Sequence, residues 1–208
     1  NRVPTHFERG TEGEEFALRL ELKLLADIGL VGFPNAGKST LIAAISAARP
    51  KIADYPFTTL VPNLGVVRYG EDRSFVVADI PGLIEGAHEG KGLGIQFLRH
   101  IERTSLLLHL IDVSEGAADD PLASFKIMRE ELTAYDPTLA KRPFAVVPTK
   151  IDAAGEGSRL TQLQSFCRDR NISCLPVSSA TRAGLAELIT FVGQRIEQLR
   201  ATACETKS

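Results

Sequence analysis

The chain has 208 residues, an apolar fraction of 44% and a formal net charge of −2, enough for one α/β domain with a full core. The near balance of 24 Lys and Arg against 26 Asp and Glu argues against a strongly basic nucleic-acid surface, so DNA is not an expected partner and any RNA contact needs a local patch. The longest apolar runs, 28–31 and 106–111, are too short to span a bilayer, and Asn1-Arg2-Val3-Pro4 does not read as a signal peptide. Cys167, Cys174 and Cys204 have no CxxC spacing and read as reduced thiols, so a cytoplasmic monomer is the expectation.

Residues 1–24 read as a linker. The first fifteen are polar and contain Pro4, Gly10 and Gly13; Leu18, Leu20, Leu22 and Leu24 then alternate with charged residues, the period of a half-buried strand. A domain over 25–200 follows, and 201–208 read as a tail. Residues 28–31 predict a buried strand and 39–45 a helix. Pro50, Pro56 and Pro62 make a helix improbable over 50–62, which reads as an ordered but mobile loop. Residues 64–69 and 74–80 predict a hairpin turning at Gly70-Glu71-Asp72. Gly86, Gly90, Gly92 and Gly94 punctuate a loop over 83–94 that a ligand can order. A helix over 95–103 and a buried strand over 106–113 come next. A helix over 121–135 carries Leu122, Phe125, Met128 and Leu132 on its core stripe. Strand 143–147, helix 158–170, strand 173–177 and helix 184–199 close the chain. This alternation predicts a mostly parallel sheet with helices on both faces, and ligands in such sheets sit at the carboxyl ends of the strands.

Between the first strand and the first helix lies Gly32-Phe33-Pro34-Asn35-Ala36-Gly37-Lys38-Ser39, a match to G-x-x-x-x-G-K-[ST] at every fixed position. Unpaired backbone N–H groups and the positive end of the helix make a phosphate cradle of such a loop. Gly32 and Gly37 are expected to allow close backbone approach and positive φ. Lys38 can reach the β- and γ-phosphates, and the Ser39 hydroxyl can ligate Mg²⁺. Asp79-Ile80-Pro81-Gly82 places a carboxylate for the same metal at a strand end, with the Gly82 N–H facing the γ-phosphate. The loop pattern does not choose between ATP and GTP. Thr149-Lys150-Ile151-Asp152 does bear on that choice, because a fixed Asp152 carboxylate accepts two hydrogen bonds from guanine and faces a lone pair on adenine. The Lys150 stem can cover the base plane, and an N–H at Ser179 or Ala180, in Ser178-Ser179-Ala180, can donate to guanine O6.

These motifs resemble the five guanine-nucleotide motifs of the translation-factor branch of small GTPases. The wording GFPNAGKST, ADYPFTTL and DIPGLIEGA is similar to the Obg (CgtA) family from about Leu20 to the last helix. The resemblance implies a P-loop NTPase fold, GTP hydrolysis with Mg²⁺, action on the large ribosomal subunit during its assembly, and binding of the alarmone ppGpp. It implies that residues 1–24 end a glycine-rich N-terminal domain. Thr40 joins the nucleotide contacts, and Phe57-Thr58-Thr59-Leu60-Val61 become the first switch, with Thr59 on Mg²⁺. Residues 83–94 become the second. Two positions depart from common patterns. Thr149 stands where an Asn usually ties the base loop to the phosphate loop, and a hydroxyl has fewer hydrogen bonds to offer. Leu83 stands where Ras-type enzymes place a water-orienting Gln.

With Lys38, Mg²⁺ and loop N–H groups supplying charge neutralisation, water must be oriented by another group, so a slow GTPase is expected. Asn35 occupies the position of the potassium ligand in K⁺-dependent relatives, which makes K⁺ a second candidate cofactor. His88 and His100 are candidates for a general base, of which His88 reads rather as solvated, and His109 reads as a satisfied core residue. An ATP-dependent enzyme and a nucleotide-gated binding module whose hydrolysis serves as a timer are the rival readings; the first leaves Asp152 without a role.

Overall fold

The computed structural model describes Gly13 and residues 26–47, 51–52, 63–79 and 104–205. The strand read from the Leu18 to Leu24 alternation and the helix read over 95–103 lie outside the described residues. At the centre is β1 (Ile28–Val31), four residues buried on both faces. It pairs in parallel with β4 (Arg73–Asp79) on one side and β5 (Leu106–Asp112) on the other. Beyond β5 lies β6 (Phe144–Thr149), also parallel. On the opposite flank β3 (Asn63–Tyr69) closes an antiparallel hairpin with β4, and β2 (Lys51–Ile52) adds a short antiparallel edge to β3. Among the described residues the sheet order is β2-β3-β4-β1-β5-β6. The loop expected over 50–62 therefore begins as a strand edge at Lys51.

Helices cover both faces. On one, α1 (Lys38–Ile45) and the long C-terminal α5 (Leu185–Glu205) bury Leu41, Ile42, Leu188, Val192 and Ile196 against Ile28, Leu30 and Val77. On the other, α2 (Pro121–Tyr135), the single turn α3 (Pro137–Ala140) and α4 (Ser158–Asp169) bury Phe125, Met128, Leu139, Leu163 and Cys167 against Val31, Leu107 and Val146. Asp120 caps α2 by accepting from the N–H groups of Leu122 and Ala123, with Pro121 in the first turn, where its missing N–H has no consequence. The last helix continues through Glu205, into the segment read as a tail. Just before that segment Arg200 donates to Asp27 at 2.7 Å, while the other oxygen of that buried carboxylate takes the Val76 N–H.

The strand expected over 173–177 is an extended segment carrying one bridge, Val146 with Cys174. Its ladder begins normally: Val146 N–H donates to the Ser173 carbonyl at 2.9 Å and Leu175 N–H to the Val146 carbonyl at 2.9 Å. The next rung requires an N–H at position 148, and Pro148 has none. Val177 N–H still donates to the Pro148 carbonyl at 2.8 Å, so the segment keeps its place beside β6.

His109, midway along β5, is wholly buried, and neither ring nitrogen has a hydrogen-bond partner among the described residues, so the partners expected of a satisfied core histidine are not found among them. Its ring stacks on Phe144 at 4.7 Å, and Arg129 lies over the far side of the same cluster, its guanidinium 4.7 Å from the Phe144 ring. Burial, reinforced by Arg129, lowers the His109 pKa from 6.5 to about 3, so the ring is neutral. The unfolded chain therefore takes up a proton near pH 6.5 that the folded chain refuses until about pH 3. Stability falls as pH drops through that window. By pH 4.5 the loss is on the order of 2 kcal/mol. Urea midpoints at pH 7 and 4.5 are expected to separate less in His109→Leu than in the unaltered chain.

Candidate functional site

The sheet register brings the sequence-predicted residues to one edge. Leu30 of β1 pairs with Asp79, and Asp112 of β5 pairs with Thr149. The phosphate-loop sequence leaves β1 between these two ends. It turns through the Ala36 N–H to Phe33 carbonyl bond at 3.1 Å, with Asn35 at φ 62° and Gly37 at φ 93°. The two glycines do different jobs. Gly37 supplies the left-handed backbone before α1 and has nothing within 4 Å of where a Cβ would stand. Gly32 is not among the positive-φ residues; a Cβ there would come within 2.9 Å of the Leu110 carbonyl oxygen, so it serves close packing against β5.

Lys38 opens α1, and its ammonium donates back to the carbonyls of Gly32 at 2.7 Å and Phe33 at 3.2 Å. Pro34 and Asn35 are exposed, as are Ser39 and Thr40 at the start of α1. The Ser39 hydroxyl donates to Asp79 Oδ2 at 3.1 Å. The other carboxylate oxygen, Oδ1, is buried with no hydrogen-bond partner among the described residues. Burial pushes the Asp79 carboxyl above its ordinary pKa, against the lowering pull of Lys38 and Ser39. An orphaned carboxylate oxygen beside an exposed hydroxyl is a donor set that suits a hard divalent cation with oxygen ligands.

At the end of β6, Thr149 is buried and its hydroxyl donates to the Ala36 carbonyl at 2.8 Å, with the Ile111 carbonyl at 3.3 Å. The link between base strand and phosphate loop is thus made by a hydroxyl. Lys150 follows at φ 57° and donates to Asp112 Oδ2 at 2.6 Å. Asp112 Oδ1 in turn accepts from the N–H and hydroxyl of Ser114 at 2.9 and 2.6 Å. Burial raises the Asp112 carboxyl, but Lys150 and the two Ser114 bonds outweigh it and hold the carboxyl below its usual range. Ile151 and Asp152 begin a single 3₁₀ turn, and Asp152 is exposed beside this anchored lysine. Ser178 is fully buried; its N–H donates to the Ala183 carbonyl at 2.9 Å, and its hydroxyl accepts the Thr181 N–H at 3.0 Å, leaving Ser179 half-buried and Ala180 exposed on the turn. Gly184 closes the turn at φ 73°, where a Cβ would stand 2.1 Å from the Pro176 carbonyl oxygen.

Asp112 and Ser114 were not among the residues picked from the sequence. Their signal is an Asp at the carboxyl end of an apolar strand, facing a Lys two residues after the next strand's last proline. Phe57, Thr58, Thr59, Leu60, Val61, Ile80, Pro81 and Gly82 lie outside the described residues, as do residues 83–94, His88 and His100.

A family model described as "50S ribosome-binding GTPase" matches residues 27–150. The chain is 56% identical over 196 residues to the GTPase Obg of Thermodesulfovibrio yellowstonii, covering 94% of this chain and 58% of that protein. It is 58% identical over 196 residues to the GTPase Obg of Solibacter usitatus, with the same coverages of 94% and 58%. The chain belongs to the Obg family of GTPases. It spans a little under three fifths of the length of these Obg relatives. Solved structures share the fold. A putative nucleolar GTP-binding protein 1 from Plasmodium falciparum superposes with a TM-score of 0.60 at 21% identity, covering 91% of this chain and 93% of that one. The cytosolic domain of the T. maritima FeoB iron transporter in its GMPPNP form also gives 0.60, at 20% identity, covering 83% and 64%. Among the described residues of this Obg chain, no helix is long and apolar enough to cross a membrane.

The Thr149 link has a direct test. Thr149→Val keeps the branched shape and removes the donor, which leaves the Ala36 carbonyl without its partner at a loss of about 1–2 kcal/mol. The Tm is expected to fall, and GDP affinity to drop roughly 5- to 30-fold by isothermal titration. Thr149→Asn, which can donate to the same carbonyl, is expected to retain affinity.

Proposed function

We propose that the chain binds guanine nucleotides and hydrolyses GTP slowly to GDP and phosphate, acting as a nucleotide-dependent switch. One observation carries the reading: Asp152 is exposed on the turn that follows a strand whose last residue, Thr149, is bonded to the phosphate loop. A carboxylate held there meets the guanine N1–H and 2-amino group, the pair that adenine lacks. Lys150, tethered by Asp112, lays its stem over the base, and the turn at 178–180 offers N–H groups to O6. Lys38 exchanges the carbonyls of Gly32 and Phe33 for phosphate oxygens, in a loop spanning Phe33, Pro34, Asn35, Ala36, Gly37, Ser39 and Thr40 whose unpaired backbone N–H groups join it. Ser39, Asp79 and Thr59 are the residues that would hold Mg²⁺, which when bound neutralises charge on the β- and γ-phosphates.

Phe57, Thr58, Thr59, Leu60 and Val61 form the first switch in this reading. The second is residues 83–94, directly after Asp79, Ile80, Pro81 and Gly82, and together the switches report the γ-phosphate. Catalysis rests on Lys38, Asn35, Thr59 and Gly82, because Leu83 is apolar and cannot polarise water. The name of the matching family model supports the large ribosomal subunit as partner, and the Obg resemblance supports its assembly as the process, the cytoplasm as the place, and ppGpp as a second ligand. A partner is switched only if it binds the GTP and GDP states with different affinity.

Asp152→Asn tests the base assignment. An amide mismatches the guanine edge and suits the 2-oxo group of xanthine. GTP affinity is expected to fall roughly 10- to 100-fold while xanthosine triphosphate gains. Comparable ATP and GTP affinity in the unaltered chain would overturn the assignment.

Potassium has its own test. Asn35 is exposed and held at φ 62° on the loop that faces the phosphates, which suits an amide oxygen as a monovalent-cation ligand. GTP turnover is expected to be faster in K⁺ than in Na⁺ at matched ionic strength, and the difference to vanish in Asn35→Ala. Equal rates in the two salts would remove K⁺ from the mechanism.

A further inference from the structure

At the end of the sheet away from the nucleotide edge, a cavity of about 570 Å³ opens between the amino ends of β5 and β6, the close of α4 and the middle of α5. Leu106 and Phe144, the first residues of their strands, form part of its wall. The length of β6 sets it on the order of 20 Å from Thr149. Arg142, Arg170 and Arg195 line it, and among the described residues no carboxylate does. The nucleotide chemistry above uses none of the three.

Each arginine is positioned by a contact that leaves its charge uncancelled. Arg142, just ahead of β6, is half-buried and donates to the Thr104 carbonyl. Arg170 is exposed, and its guanidinium lies over the Phe166 ring at 3.9 Å. Stacking occupies the face of that plane, while the N–H donors lie in the plane and stay available. Arg195, exposed on α5, donates to Gln198 one helical turn on at 3.0 Å. Among the described residues neither Arg170 nor Arg195 belongs to an ion pair. Asn171, at φ 54°, turns the chain out of α4 so that Arg170 and Ser173 line the same hollow. The exposed amides of Asn171 and Gln194 add neutral hydrogen-bonding groups to it.

We propose that this cavity is a docking site for the phosphodiester backbone of RNA. A chain of net charge −2 has no general attraction for RNA, so a contact needs a local patch. Three arginines in one hollow without a carboxylate supply it. A lone phosphate is outnumbered by three cations, whereas a run of phosphates is not. Guanidinium forks match phosphate oxygens two at a time. They match carboxylates as well, so the choice of RNA over an acidic peptide rests on the reading of the large ribosomal subunit as partner. Because the cavity lies at the far end of the strands, RNA held there leaves the phosphate loop open to nucleotide.

The test uses the 208-residue chain and a fluorescein-labelled RNA hairpin, with binding read by anisotropy over a series of KCl concentrations. The slope of log affinity against log salt is expected to be about −2 to −3, the value for three phosphate contacts. The double variant Arg170→Gln, Arg195→Gln changes two exposed side chains, and an unaltered Tm checks its fold. Its affinity is expected to fall roughly 10-fold and its slope to become shallower by about 1.5. An unaltered chain that does not bind the hairpin, or a double variant with the same affinity and slope, would overturn the proposal. So would polyglutamate that displaces the hairpin as well as unlabelled RNA of equal charge. Purified large subunits are then offered to both chains. Subunits bound equally by the double variant would overturn the cavity and leave the ribosomal reading standing. A hairpin bound through the two arginines by a chain that does not bind subunits counts against the ribosomal reading alone.

Discussion

The hydrogen bond from the Thr149 hydroxyl to the Ala36 carbonyl joins the two halves of the site. One half is a loop of left-handed residues between β1 and α1, and the other is the end of β6, with β5 between them. The sheet alone sets the strands at ladder spacing but leaves the loops at their ends free to move independently. A buried bond between Thr149 and Ala36 makes the loop that faces phosphate and the turn that faces base into one rigid piece. A hydroxyl suffices because the geometry is already constrained: Thr149 is buried in a strand, and its β-branched side chain has few rotamers to lose. An amide has more hydrogen-bonding atoms, but a single donor is what the Ala36 carbonyl requires.

The charged groups of the phosphate half are held in provisional pairs. Lys38 bonds two carbonyls of its own loop, and Asp79 has one oxygen on Ser39 and the other buried without a partner among the described residues. A buried carboxylate oxygen left unpaired is costly, and a cation that reaches it relieves that penalty. Ligand binding at this edge is then an exchange. In the proposed reading Lys38 gives up carbonyls for stronger, charge-assisted bonds to phosphate, and Asp79 gains a partner that the described residues do not supply.

Much of this was legible in the sequence because local chemistry and fold agree. The phosphate loop, the hairpin at Gly70, the α2 stripe and the strand-end positions of Asp79 and Thr149 are each dictated by short-range pattern. The misreadings come from contacts between distant residues. Residues 173–177 have the composition of a strand, but the rung they lack is deleted by Pro148 on the neighbouring strand. Gly32 looks like a turn glycine, whereas its constraint is the Leu110 backbone. His109 sits in an apolar run that promises burial, but nothing in that run tells that neither nitrogen has a partner among the described residues. The last helix runs on to Glu205, and Arg200 near its end is anchored on Asp27, far away in sequence.

The two aspartates of the base half show how burial divides labour between like residues. Asp112 is largely enclosed, with 19% of its side chain exposed, and both its oxygens are engaged by Ser114 and Lys150. A carboxylate so committed positions its neighbours. Asp152, two residues past the lysine that Asp112 holds, is exposed and accepts no hydrogen bond from the described residues. The left-handed turn at Lys150 lets one strand end serve both purposes: it points the ammonium back to Asp112 and carries the chain outward, so that the second carboxylate faces solvent. In the proposed reading, recognition at this edge depends on an acid that does not itself touch the base, since without Asp112 the lysine stem would lose its fixed plane.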